Sequence, residues 1–100
     1  MRSSLSTMVH AFVLVSAEPS HVAKLAEALV SIDAVAEVYS VAGDLADIVA
    51  VVRVREHEEL ADVVTQQIAA LEGVKGTTTL IAFRAYSRHD LEAIWDLGPR

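Results

Sequence analysis

Cysteine is absent from this 100-residue chain. That excludes a disulfide scaffold and any thiolate-ligated metal site. Basic residues are scarce: eight Lys and Arg stand against fourteen Asp and Glu, a net charge of −6. A domain that grips phosphates carries a basic stripe. The nearest approach to one, Arg53 and Arg55, is followed at once by Glu56, Glu58 and Glu59, so direct binding of nucleic acid is not expected. Long hydrophobic runs are missing as well. None exceeds the five residues of 48–52, far below the roughly 18 that a membrane span needs, and no membrane partner is expected. Residues 1–7 contain one Arg, three Ser and no apolar core; they read as a disordered leader and not as a signal peptide. Without a secretion signal or cysteine, the cytoplasm is the expected compartment. The chain has no GxGxxG or Walker A loop for phosphates, no GxSxG elbow and no HExxH zinc helix. Its length excludes a multidomain enzyme.

What fills the chain is small aliphatic residues. There are 16 Ala, 15 Val, 10 Leu and 5 Ile, and the apolar fraction is 53% against a norm of about 45–50%. Such a composition excludes disorder. Residues 8–16 are short, β-branched and nearly all apolar, and read as a strand covered on both faces. Pro19 and Ser20 then stand where a helix starts, and Val22, Leu25, Ala26, Leu29 and Val30 follow at helical spacing. Residues 35–42 alternate imperfectly and read as a second strand. Gly43-Asp44 is a turn signal, and residues 47–54 are a third strand, apolar on both faces. Helical spacing returns at Leu60, Val63, Val64, Ile68 and Leu71 and ends at Gly73, a candidate C′ residue. Residues 77–86 read as a fourth strand.

The order is β-α-β-β-α-β. The expected class is α+β, a ferredoxin-like four-stranded antiparallel sheet with the first and third strands central and two helices on one face. The domain is expected to span residues 8–86. In residues 87–100, Ser87-x-x-Asp90 resembles a capping box, and Leu91, Ile94 and Trp95 share a helix face before Gly98-Pro99, so a short C-terminal helix is expected.

The apolar excess has a geometric meaning in this fold. With both helices on one face, the other face is open in a monomer, and an antiparallel sheet with a wet face alternates cleanly. These strands do not. Val9, Ala11, Val13 and Val15 are opposed by Phe12 and Leu14, and Ile48, Ala50, Val52 and Val54 by Val49 and Val51. A contiguous apolar face marks a partner surface, and the simplest partner is a second copy related by a two-fold axis.

Candidate chemistry is sparse. The four histidines, His10, His21, His57 and His89, form no i, i+4 pair, so neither metal nor cofactor is expected. His10, within the first strand, suits a hydrogen-bonded or interface residue better than a general base. The acidic run Glu56–Glu59 opens the second helix and complements its dipole. The most informative segment is residues 41–47. Gly43 lets a backbone approach closely, exposed N–H groups in a loop can hold a carboxylate, and Asp44 or Asp47 can bind an ammonium. An ordinary turn with Asp as turn former accounts for the same residues. Thr77, Thr78 and Thr79 form a second polar set, which β-propensity also explains.

MVHAFVLV at residues 8–15, VxxVYSVAGDLADIV at 35–49 and GVKGTTTLIAFRAY at 73–86 together resemble the effector-binding domain of Lrp/AsnC transcription regulators, also called the RAM (regulation of amino-acid metabolism) domain. The tail YSRHDLEA resembles that of actinobacterial stand-alone members. The resemblance implies sheet-face homodimers, assembly of dimers into higher oligomers or rings, and a small effector, often an amino acid, bound between dimers. It places Gly43, Asp44 and Asp47 in the ligand turn, and Thr77 and Thr79 in the TxT that opens the last strand. The family's usual turn is GxxD, whereas three residues separate Gly43 from Asp47 here, so both aspartates stand as candidates. Full-length members carry a helix-turn-helix before this domain; only seven residues precede Met8. The expectation is a stand-alone, non-enzymatic sensor in transcriptional regulation of amino-acid metabolism, acting through assembly or with full-length Lrp/AsnC regulators. Two alternatives share the element order: a dimeric α+β barrel enzyme such as a cofactor-free monooxygenase or isomerase, and an ACT-like or purely structural assembly domain. The two-faced strands predict an obligate dimer; sedimentation across a range of concentrations is expected to show no concentration-independent monomer.

Overall fold

The computed structural model describes residues 8–88. Strand β1 (Val9–Ala17) leads through a single 3₁₀ turn (Pro19–His21) into helix α1 (Val22–Val30). Strands β2 (Val35–Ser40) and β3 (Ile48–Val54) follow, then helix α2 (His57–Asp62), a π-helical continuation (Val63–Ile68) and strand β4 (Val74–Ile81). The four strands form one antiparallel sheet in the order β2-β3-β1-β4. This is the ferredoxin-like arrangement, with the two most apolar strands at its centre.

Alternation along β1 and β3 makes the core. Ala11, Val13, Val15, Ile48, Ala50 and Val52 are wholly buried on one face and cluster with Leu25 and Leu29 of α1, Leu60 of α2, and Val63 and Ile68. Burial of each large aliphatic side chain stabilises the fold by roughly 1.5–3 kcal/mol. No described polar or charged residue is buried with them.

The imperfect alternation of the second strand has a structural cause. Val35 pairs with Val52 and Val38 with Ala50, and the register shifts between Val35 and Glu37. The bulge puts both valines, three residues apart, on the helix side and leaves Glu37 and Tyr39, opposite Val51 and Val49, on the other.

The second helix departs from regular α spacing for a similar reason. The Ala69 N–H donates to Val64 O, an i→i+5 bond that widens the turn. Val63 and Ile68, five residues apart, therefore both reach the core. At the front of this helix the acidic run does more than meet a dipole: Glu59 Oε1 accepts hydrogen bonds from the Arg55 and Glu56 amides.

Three expected boundaries move. The helical segment ends at Ile68, not beside Gly73, which lies instead in the turn entering β4 with φ +96°. The link between β2 and β3 is a longer loop and not a tight turn at Gly43-Asp44, since Gly73 is the only described residue with positive φ and primed hairpin turns require it. Strand β4 is residues 74–81, not 77–86. Its pairing with β1 runs from Ala17 opposite Val74 to Ala11 opposite Ile81, and one further bond, from Ala82 N to His10 O, ends the ladder, while β1 continues to Val9 against β3. The expected C-terminal helix around Leu91, Ile94 and Trp95 lies outside the described residues.

A Cβ added at Gly73 would stand 2.6 Å from His21 Cβ, in a backbone conformation that L-residues rarely adopt. Gly73→Ala is therefore expected to destabilise the fold by about 1–3 kcal/mol, and Leu29→Ala by about 2–5 kcal/mol. Urea denaturation followed by circular dichroism measures both.

Candidate functional site

The loop between β2 and β3 is built around Asp47. The Asp47 N–H donates to Val15 O at 2.9 Å, and Val41 N–H donates to Asp47 O at 2.9 Å. The first bond prolongs the β1–β3 ladder by one step; the second closes the neck of the loop. The Asp47 carboxylate then takes the place of a backbone carbonyl: its Oδ2 accepts from the Ala17 amide at 2.8 Å. An amide at the end of an interior strand is costly to leave unpaired, and the charge-assisted bond satisfies it. Asp47 is thus half-buried and committed on one oxygen to holding the loop against β1.

The tip of the loop is free of such ties. Gly43 and Asp44 are exposed, Leu45 is 82% exposed and Ala46 is tucked under. A Cβ at Gly43 would meet nothing within 4 Å, so within one copy Gly43 is open space and no close approach requires a glycine there.

The threonines start from the same end of the sheet. Thr77 pairs with Val15, whose other neighbour is Ile48, and Thr79 pairs with Val13. Residues opposite each other share a face, so Thr77 and Thr79 lie on the helix side, half-buried, and Thr78 lies opposite Leu14 on the open side. Register places Thr77 two strands from Ile48, roughly 9–10 Å at ordinary strand spacing. The fold thus brings Asp47 and Thr77 to one edge of the sheet, flanking the end of β1. Thr79 stands one pleat further in, and Gly43 and Asp44 stand out on the loop tip. Within one copy the five candidates share an end of the molecule without meeting as one enclosed site.

The remaining polar constellations lie elsewhere. His10 is opposite Arg53 on the open face, and Arg53 Nε donates to His10 Nδ1 at 3.3 Å. That bond sets the imidazole as the Nε2–H tautomer; Nε2 is enclosed with no partner among the described residues. Ser20 Oγ lies 3.3 Å from His21 Nδ1, and His21 Nε2 lies 3.8 Å from Glu72. The residue types are those of a catalytic triad, but the Glu72 side chain is 91% exposed, so water screens the carboxylate that would have to orient the imidazole. Among the described residues no group of three or more His, Asp or Glu is placed to hold a metal ion, and no helix is long and apolar enough to cross a membrane.

A family model described as the Lrp/AsnC ligand-binding domain matches residues 10–91. The chain belongs to this family. The match takes in every strand and helix described above except Val9, the first residue of β1. The fold agrees with solved structures. TTHA0845 from Thermus thermophilus is 54% identical, with a TM-score of 0.74 over 80% of this chain and 99% of that one. AsnC from E. coli is 22% identical, with a TM-score of 0.75 over 85% of this chain and 59% of that one. The transcriptional regulator NMB0573 from Neisseria meningitidis, solved as a complex with L-Met, is 14% identical, with a TM-score of 0.75 over 88% of this chain and 59% of that one. No curated protein matches the chain. The family is a regulatory, ligand-binding one, and many of its solved members are transcription regulators.

Sequence reasoning did not foresee that the loop's second aspartate serves the backbone of β1. The signal was present in the placement of an Asp directly before an apolar strand, but the amide it satisfies is 30 residues away and only the ladder register identifies it. Asp47→Ala leaves that amide unpaired and is expected to cost about 1–3 kcal/mol, whereas Asp44→Ala, at an exposed position, is expected to stay within about 0.5 kcal/mol. Thermal denaturation of the two variants tests the difference.

Proposed function

We propose that this chain is an oligomeric amino-acid-sensing domain that acts in transcriptional regulation of amino-acid metabolism, through its own assembly or through Lrp/AsnC regulators with which it associates. Two copies pack open face to open face, and dimers join into higher oligomers. The effector binds where the loop tip of one copy is closed over by a neighbour. The observation that carries this reading is the sheet end itself. This chain of a ligand-binding family presents an exposed Gly43-Asp44 tip, braced by Asp47, beside the strand end that carries Thr77. The tip's openness within one copy fits a site completed between copies. The L-Met bound to the Neisseria regulator supports an amino acid as the ligand class.

In this arrangement the two aspartates divide the work. Asp44 is the free carboxylate and takes the ammonium; Asp47 keeps the loop in position through Ala17. Thr77 and Thr79 offer hydroxyls to the polar end of the ligand, and the absence of a side chain at Gly43 leaves room for it. No catalytic role is assigned to any residue. Binding changes assembly only in so far as affinity differs between assembly states.

Isothermal titration with each of the twenty amino acids tests the proposal. One or a few are expected to bind, with affinity lowered by roughly tenfold or more in Asp44→Ala, the loss of a charge-assisted hydrogen bond. Sedimentation with and without the bound amino acid reads the coupling to assembly. Absence of binding by all twenty removes the sensor function.

A further inference from the structure

Beyond β4 the chain leaves the sheet. After the bond from Ala82 N to His10 O, Phe83 is 100% exposed and Tyr86 74% exposed. Two of the chain's five aromatic residues therefore stand in water on one short segment. The same chain holds the surface that would take them. The open face carries Phe12, Tyr39 and Leu80, each about half exposed, around Leu14 and Val49. Residues 82–88 carry Arg84 and Arg88 and no acid, in a chain of net charge −6; the open face bears Glu37, opposite Val51, together with Arg53, which is bonded to His10.

We propose that residues 82–88 form an arm that lays Phe83 and Tyr86 on the open sheet face of a second copy. This rests on the sheet-face dimer proposed above and adds the element that crosses it. The partner is another copy because Phe83 makes no use of its own sheet and because a two-fold axis gives each arm one face and each face one arm. Reach is sufficient: seven extended residues span up to about 23 Å, against a four-stranded width of about 14 Å and a face-to-face separation of about 10 Å. The arm closes the rim of the sheet sandwich, and its arginines offset part of the repulsion between two acidic copies.

Sedimentation equilibrium and far-ultraviolet circular dichroism on the whole chain, on a Phe83→Ser, Tyr86→Ser double variant and on Leu14→Glu test the proposal. The wild type is expected to be dimeric. The double variant is expected to keep its circular dichroism, since Phe83 supports nothing in its own copy, while its dimer dissociation constant rises by at least roughly tenfold, as for loss of aromatic anchors. In a mixture of isotope-labelled and unlabelled wild-type copies, isotope-filtered NMR is expected to show contacts from the Phe83 ring to Leu14 and Leu80 methyl groups of the other copy. An unchanged dissociation constant in the double variant, with Leu14→Glu dissociated, overturns the arm and leaves the dimer standing. Phe83 contacts confined to its own copy also overturn it. A monomeric wild type overturns the dimer, and the arm with it.

Discussion

The pairing of β1 with β3 at the centre of the sheet is the constraint on which the rest depends. Seven consecutive residues of each strand are in register, from Val9 opposite Val54 to Val15 opposite Ile48. A slip of one residue would turn every core side chain to the other face. Held in this register, Ala11, Val13, Val15, Ile48, Ala50 and Val52 form a single sealed floor for both helices. The irregularities elsewhere accommodate that floor. The bulge in β2 returns Val38 to it, and the π turn after α2 returns Ile68.

The same ladder sets the position of the candidate site. Its last rung, Val15 with Ile48, is extended by Asp47, whose backbone and carboxylate both bind β1. The loop tip is therefore displayed from a rigid base, beside the strand end where Thr77 begins its own pairing with Val15. A carboxylate used as a strut cannot also be a fully free ligand group, so the proposed division between Asp47 and Asp44 rests on hydrogen bonding and not on chain order alone. It also gives a physical reason for two acids in a turn where one would bind an ammonium.

Alternation also determines the second surface. Every residue sent to the helix side leaves its neighbour on the open side, and here those neighbours are Phe12, Leu14, Val49, Val51 and Leu80. Even within one copy Val51 is only 7% exposed, so packing has already begun on that face. His10 and Arg53 mark its polar end by bonding to each other. The face and the aromatic segment beyond β4 are two incomplete apolar surfaces on one chain, and the proposed self-association would bury both.

Much of the fold was legible in the sequence because the periods were clean. Val22, Leu25 and Leu29 announce a helix, and the β-branched runs at both central strands announce a sheet covered on two sides. Boundaries set by a distant partner were not legible. Strand β4 ends at Ile81, where its pairing with β1 stops opposite Ala11, although β1 runs on to Val9 against β3 and FRAY at 83–86 has strand-like composition. At the site, glycine and aspartate marked the loop by their chemistry, and the family resemblance marked the threonines. The sequence by itself determined the element order, the family, the central strands and the oily second face, since these follow from residue type and local spacing. Only the tertiary structure decided which aspartate is spent on the Ala17 amide, where β4 stops and which side each threonine takes, because these depend on register between strands far apart in the chain.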